Sequence, residues 1–319
     1  MNDDDLWFLP PDFEVQDDKP RRVALAQKKD HWSEAQSQYS RELSDLSFLQ
    51  GQYEAFSFKN SGVRNRIALR CLSQILWWAG IYIPVERIIL WKELQLTPNA
   101  DEQTAYDSAA WAQTRLLGFS KPADASLSQV IRVIIDQDTG NDFELPSPLI
   151  ELEHCTQLTS ITQAASVLKL WRQCHDASLR TDVLAATLAA IIGARTPGFV
   201  MPIGLSGVLA LRSSGAEDQY LGQWIQGLTQ DYQTALAWID RHDVWQRNAV
   251  KCCADQRGDT PLRVVQFAAE QGYVTVASVQ SSLAIGRATA QRQLDWLQRR
   301  NVLREITGQD RYRIWTPMC

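Results

Sequence analysis

The reading of the fold turns on Leu283-Ala-Ile-Gly-Arg287-Ala-Thr289-Ala-Gln-Arg292-Gln-Leu294-Asp-Trp-Leu297-Gln-Arg-Arg-Asn301-Val-Leu303. Leu283, Ile285, Ala290, Leu294 and Leu297 fall on the inward positions of two helices joined by a tight turn at Ala284-Ile285-Gly286. Arg287, Thr289, Gln291 and Arg292 are left facing out at the start of the second helix, Arg287 to about Asn301. That start is the part a helix-turn-helix inserts into the major groove.

The segments on either side complete a small unit. Upstream, Pro261–Glu270 is a helix behind Asp259-Thr260, with Leu262, Val265, Phe267 and Ala268 as its stripe and Gly272 closing it. Thr275 then caps a short helix, Val276–Leu283. Downstream, Leu303–Ile306 and Arg311–Trp315 alternate like strands on either side of Thr307-Gly308-Gln309-Asp310, a hairpin with Gly where a positive φ is needed. A hairpin directly after a recognition helix is a wing, from which Gln309, Arg311 and Arg313 could reach phosphate or the minor groove. The expected unit is a winged helix-turn-helix over 251–319.

Charge supports this placement. The chain carries a net −5, yet from Lys251 onward there are ten Lys/Arg against six Asp/Glu, or +4, which leaves 22 against 31, or −9, for residues 1–250. Acid and base are segregated. Arg287 and Arg292 are the leading groove contacts, since a guanidinium pairs bidentately with guanine and their spacing keeps both near one face. Arg299 and Arg300 end the helix, where its dipole favours cations whatever they touch. Asp295 and Glu305 dilute the positive field, so affinity per protomer should be modest, which implies a homodimer on a palindromic site.

Ahead of this unit, 31–250 read as a mainly α domain for dimerisation or for a partner or effector. Trp32, Ala35, Tyr39, Leu43, Leu46 and Leu49 share one helix face, with Gly51 as stop signal. Further helices are expected at Val63–Ala79, at Val85–Leu94 behind Pro84, at Asp101–Leu117, and at Ser126–Asp136 with Ser126 as cap. Turns fall around Thr97-Pro98-Asn99, 138–142 and Pro146-Ser-Pro148, and helical pieces resume at Ser160–Gln173, Thr181–Ile192 and Asp218–His242. No strand alternation is expected before residue 300, and no fixed-period repeat occurs. Residues 1–30, with two acidic clusters, Pro10-Pro11 and Lys19-Pro20-Arg21-Arg22, read as a flexible acidic arm.

Six scattered cysteines and an acidic start, without the basic and then apolar run of a signal peptide, point to a reducing cytoplasm. The longest apolar stretch, Val183–Leu211, is broken by Arg195, Pro197, Gly198, Pro202 and Gly204, so no membrane span is expected.

The segment from about Thr260 to Trp315 resembles the winged-helix domain that ends many Fic-type proteins. It is also similar to a plasmid-associated family pairing a helical domain with such a C-terminal helix-turn-helix. The second resemblance extends upstream through Gly62-Val-Arg64-Asn-Arg66-Ile, Leu76-Trp77, Gly80 and Val85-Glu86-Arg87-Ile to Ala109-Ala110-Trp111-Ala. It implies DNA binding and regulation. The His-Pro-Phe and Gly-Asn-Gly-Arg loop with which Fic enzymes hold nucleotide phosphate has no counterpart here, so AMP transfer is not implied.

No reaction chemistry is expected. His154-Cys155 and Cys174-His175 carry zinc-ligand types, but adjacent residues seldom face one metal and no Cys-x₂₋₄-Cys knuckle is present, so neither metal nor cofactor is expected. Gly204-Leu-Ser206-Gly207 misses the nucleophile-elbow spacing by one position and reads as a turn. Trp77-Trp78 and Trp111 read as core, Cys252-Cys253 as a small buried pair at the junction, and Glu86-Arg87 with Arg64 and Arg66 as a polar cluster holding helices in register. The expected function is a transcriptional regulator that reads double-stranded DNA. The alternative is a non-catalytic adaptor in a plasmid-maintenance or defence assembly whose winged helix docks protein. An enzyme hidden in the helical domain is the third reading and would need a polar pocket there.

Overall fold

The structure is a computed structural model and describes residues 31–94, 100–119, 125–139, 144–153, 157–254, 256, 258–308 and 311–319. The acidic arm at 1–30, the turn at 97–99, His154-Cys155 and Gln309 lie outside the described residues. Helices dominate. They are α1 (31–38), α2 (Ser40–Ser57), α3 (Ser61–Trp78), α4 (Val85–Leu94), α5 (Ala100–Gly118), α6 (Leu127–Thr139) and α7 (Ser147–Glu153). There follow α8 (Ser160–Cys174), α9 (Leu179–Ile192), a short 3₁₀ turn at Ala210–Arg212, α10 (Glu217–Cys253), α11 (Thr260–Gln271), α12 (Val276–Leu283) and α13 (Arg287–Arg299). No helix among the described residues is long and apolar enough to cross a membrane.

Three strands complete the C-terminal end: β1 (Val274–Thr275), β2 (Leu303–Glu305) and β3 (Ile314–Pro317), in sheet order β1-β3-β2 with both pairings antiparallel. Leu303 faces Pro317 and Glu305 faces Trp315, so β2 and β3 form a hairpin. β1 was not anticipated, because two residues are too few to show alternation. β3 begins at Ile314 instead of Arg311, since Tyr312 adopts a left-handed φ of 60° that ends extended pairing there.

Several boundaries move for physical reasons. Gly51 does not stop its helix: α2 runs on to bury Tyr53, Glu54 and Ser57, and that burial outweighs the roughly 1 kcal/mol an interior Gly costs. Ser147 opens a short helix with Pro148 in its first turn, where a missing N–H costs nothing. The largest change is α10, 37 residues long and continuous from Glu217 to Cys253. Its apolar stripe does not end at His242 but continues as Trp245, Ala249 and Cys253, one per turn.

Those three residues belong to a second core. Buried side chains divide into a large cluster from α1 through Ile239, joined by Ile314, and a small one holding Trp245, Ala249 and Cys253 with α11–α13 and Trp315. In the large core Tyr53 and Tyr232 meet edge-on at 5.6 Å between centroids, and Trp32 and Tyr220 at 6.0 Å. The turn at Gly204–Ser206 is pinned by Asp231 of α10, whose buried carboxylate accepts Gly204 N (2.8 Å), Ser206 N (2.8 Å) and Ser206 Oγ (2.6 Å). Ser206 therefore has a structural partner, and no histidine among the described residues is bonded to it. Burial raises the Asp231 pKa to about 6 against the pull of those three donors.

The two cores are held together at a close backbone contact. A Cβ on Gly62 of α3 would lie 2.0 Å from Ala269 O, and one on Gly272 would lie 2.5 Å from Gly62 O. Ser61 Oγ donates to Glu270 O (2.9 Å) beside it, and Thr316 Oγ1 to Gly272 O (3.1 Å). The expected polar cluster of Arg64, Arg66, Glu86 and Arg87 is divided by this packing. Arg64 donates to Ser57 O and Phe58 O at the end of α2, Arg66 stacks over Trp238, and Arg87 pairs with Glu102 at 3.1 Å. Trp77 is exposed and capped by Arg212, not core, whereas Trp78 and Trp111 are half-buried beneath Arg172 and Arg115.

Candidate nucleic-acid interface

The local sequence builds this surface with little help. Thr275 accepts Ser278 N and Ser278 Oγ accepts Thr275 N, a capping box that fixes where α12 begins. Ala284 in the left-handed region (φ 52°) ends α12, and Arg263 Nη2 of α11 donates to the terminal Leu283 O at 3.0 Å. Gly286 then opens α13, its carbonyl accepting Thr289 N and Ala290 N at 2.9 Å each.

Burial follows the sequence pattern. Ala290, Leu294 and Leu297 are fully buried, while Leu283 and Ile285 are half-buried against the same core. Arg287 and Arg292 are exposed, and Thr289 and Gln291 half-buried, at the start of α13. The two arginines do not share one line, because five residues turn a helix by about 140°. Arg287 and Gln291 line a groove that Arg292 does not reach. Arg292 Nη2 instead donates to Thr289 Oγ1 (3.3 Å).

That groove, of about 530 Å³, is bounded by Val276 and Gln280 of α12, by Arg287 and Gln291, and by Arg311–Ile314 ahead of and into β3. Leu90 of α4 supplies part of its wall. Gln280, Tyr312 and Leu90 were not anticipated. Tyr312 between two arginines was a readable signal, but Leu90 is almost two hundred residues upstream of Arg287 and carried none.

Arg313 is placed differently from Arg311. Arg311 is exposed, whereas Arg313 is half-buried, its Nη1 on Asp295 Oδ1 (3.0 Å), its Nη2 on Gln298 Oε1 (2.8 Å) and its guanidinium 4.6 Å from the Trp315 ring centroid. Gln291 Nε2 shares Asp295 (3.0 Å), and Trp315 Nε1 shares Gln298 (2.9 Å). This network ties the hairpin to α13. Asp295 is thereby paired with a cation, whereas Glu305 keeps its charge and accepts Thr307 N (2.6 Å) and Gly308 N (3.1 Å) from the backbone. Arg299 and Arg300 are both exposed, with Arg300 stacked on Trp296 at 5.5 Å.

Other candidate chemistry does not assemble. His175 stacks on Trp171 at 4.3 Å with Nδ1 on Trp171 O. Among the described residues no group of three or more His, Cys, Asp or Glu is placed to hold a metal ion. Cys253 is buried and Cys252 half-buried in the last turn of α10. No known protein family matches the chain, and no curated protein is similar enough to be matched to it.

Proposed function

We propose that the chain is a sequence-specific double-stranded DNA-binding protein, a transcriptional regulator whose C-terminal unit is a winged helix-turn-helix. In this reading α13 enters the major groove, the β2–β3 hairpin is the wing, and two copies read a palindromic site. The observation that carries it is the exposure of Arg287 and Arg292 in the first two turns of α13, Arg292 on the face away from the stripe locked into the small core and Arg287 at that stripe's edge. A surface of that kind offers groove and phosphate contacts without disturbing what holds the helix. Arg311 adds an exposed cation lining the same groove as Arg287, and Arg313 acts by holding the wing in place.

The test is fluorescence anisotropy with duplexes selected from a random pool. Arg287→Ala with Arg292→Ala should cost at least tenfold in affinity for the selected site while leaving the melting temperature unchanged. Each arginine that touches phosphate adds about 0.9 to the slope of log K against log salt, so Arg311→Ala should flatten that slope by roughly one. Equal binding by the double variant would remove the assignment.

A second reading is an adaptor that docks protein. It is favoured by Phe48 and Phe56, which stand 65% and 55% exposed on α2 with no role in either core. It predicts no salt-sensitive affinity for any duplex.

A further inference from the structure

The groove between α12, α13 and the hairpin is more than a helix flank. Its volume of about 530 Å³ lies within the range of roughly 300–1,000 Å³ typical of small-molecule sites, and it sits where the helical body, through Leu90, meets the C-terminal unit. In a chain with 37 Asp and Glu, no described residue lining it is acidic. Of its three arginines, Arg313 is committed to Asp295, while Arg287 and Arg311 are exposed and spend no charge on a carboxylate among the described residues. The amides of Val276 and Ala277, at the first turn of α12, have no carbonyl of their own helix to bond. Two exposed guanidiniums, one on α13 and one ahead of β3, thus line one cavity that the first turn of α12 also borders. A tetrahedral phosphate presents three oxygens to such a set, whereas a planar carboxylate presents two.

The rest of the lining is apolar. Leu90 and Val276 supply apolar lining over the buried Ile314, and the Tyr312 ring, 61% exposed, offers a face on which a flat group can stack. We propose that the groove binds a small phosphate monoester with a flat body, of nucleoside-monophosphate size, and that its occupancy withdraws Arg287 from DNA. The site stands on the cavity alone, and the antagonism rests on the DNA-binding reading. A backbone phosphodiester would use the same donors but would leave the wall at Leu90 unfilled.

The experiment is calorimetric titration of the full chain with the four nucleoside monophosphates, and with the corresponding nucleosides and inorganic phosphate as separate halves. At least one monophosphate should bind with a sub-millimolar Kd, roughly tenfold or more tighter than either half. Ala277→Glu sets a carboxylate in the groove at a helix first turn, where it is tolerated, and Leu90→Trp fills the wall. Each should weaken that monophosphate about tenfold or more, with Ala277→Glu melting as the parent does. No heat from any of the four, phosphate binding as tightly as the best of them, or indifference to Ala277→Glu would overturn the site. In a parallel anisotropy arm the ligand should raise the apparent Kd for the selected duplex. Ligand binding with undisturbed duplex binding overturns the antagonism alone. Ligand binding by a chain that holds no duplex overturns the DNA reading and leaves the site in place.

Discussion

Gly62→Ala is the most direct perturbation of how the two cores are joined. The added methyl carbon would lie 2.0 Å from Ala269 O and 2.8 Å from both Ala269 C and Gly272 N, all backbone atoms that no rotamer change can move. Restoring an ordinary contact of 3.4 Å requires the end of α11 to retreat by about 1.4 Å. That retreat stretches Ser61 Oγ to Glu270 O from 2.9 Å past hydrogen-bonding range and strains Asn65 Nδ2 to Gln271 O, already 3.4 Å. Overpacking costs about 1–3 kcal/mol and each lost bond about 0.5–1.5 kcal/mol, so the variant should lose about 3 kcal/mol. At roughly 2 °C per kcal/mol for a chain of this size, melting followed by circular dichroism should fall by about 6 °C. Gly118→Ala, with no atom within 4 Å of its Cβ, is the matched control and should not move. If both variants melt together, α3 and α11 do not pack as described.

Trp245→Phe removes the Nε1–H bond to Val302 O (2.6 Å) that ties α10 to the segment before β2. The carbonyl keeps Met318 N at 3.2 Å, so the loss in chemical denaturation should be about 1 kcal/mol and not the larger penalty of an orphaned acceptor. Two buried groups make acid stability a balance. Burial lowers the His242 pKa from 6.5 to about 4, so its neutral ring contributes stability that is complete above pH 6.5 and lost as pH falls toward 4. Asp231, raised from 3.8 to about 6, does the opposite, recovering stability as pH falls from 6 toward 3.8. Each is worth up to about 3 kcal/mol, so the pair nearly cancels. Denaturant melts should therefore show His242→Leu more stable at pH 5 than at pH 7 relative to the parent. A parallel shift at both values would exclude titration of the ring as the cause.

The C-terminal unit was legible because its boundaries are written in single residues with local effects. Thr275 and Ser278 cap each other, Gly272 takes a φ of 78°, and the stripe Ala290, Leu294, Leu297 is uninterrupted. None of these needs a distant partner. The length of α10 was hidden for the opposite reason: between Arg241 and Lys251 charged and amide residues surround Trp245 and Ala249, and only a second core makes those two positions a stripe. Among the site residues, alternation could set Arg311 and Arg313 on one strand face. It could not show that Asp295, 18 residues before Arg313, waits to receive only the latter.

Those same features decide how the proposed reading head is carried. A C-terminal unit joined by a loop alone would sample many orientations, and two copies of it could straddle half-sites of varied spacing. Here one helix contributes to both cores without a break, and a glycine pair brings the backbones of α3 and α11 into direct contact. Ile314 of β3 is itself counted among the buried side chains of the large core. The direction in which Arg287 and Arg292 point is therefore fixed relative to the helical body, and whatever surface of that body pairs two copies would also set the distance between their α13 helices. If paired copies read DNA as proposed, this architecture would make discrimination among duplexes reside as much in spacing as in base contacts.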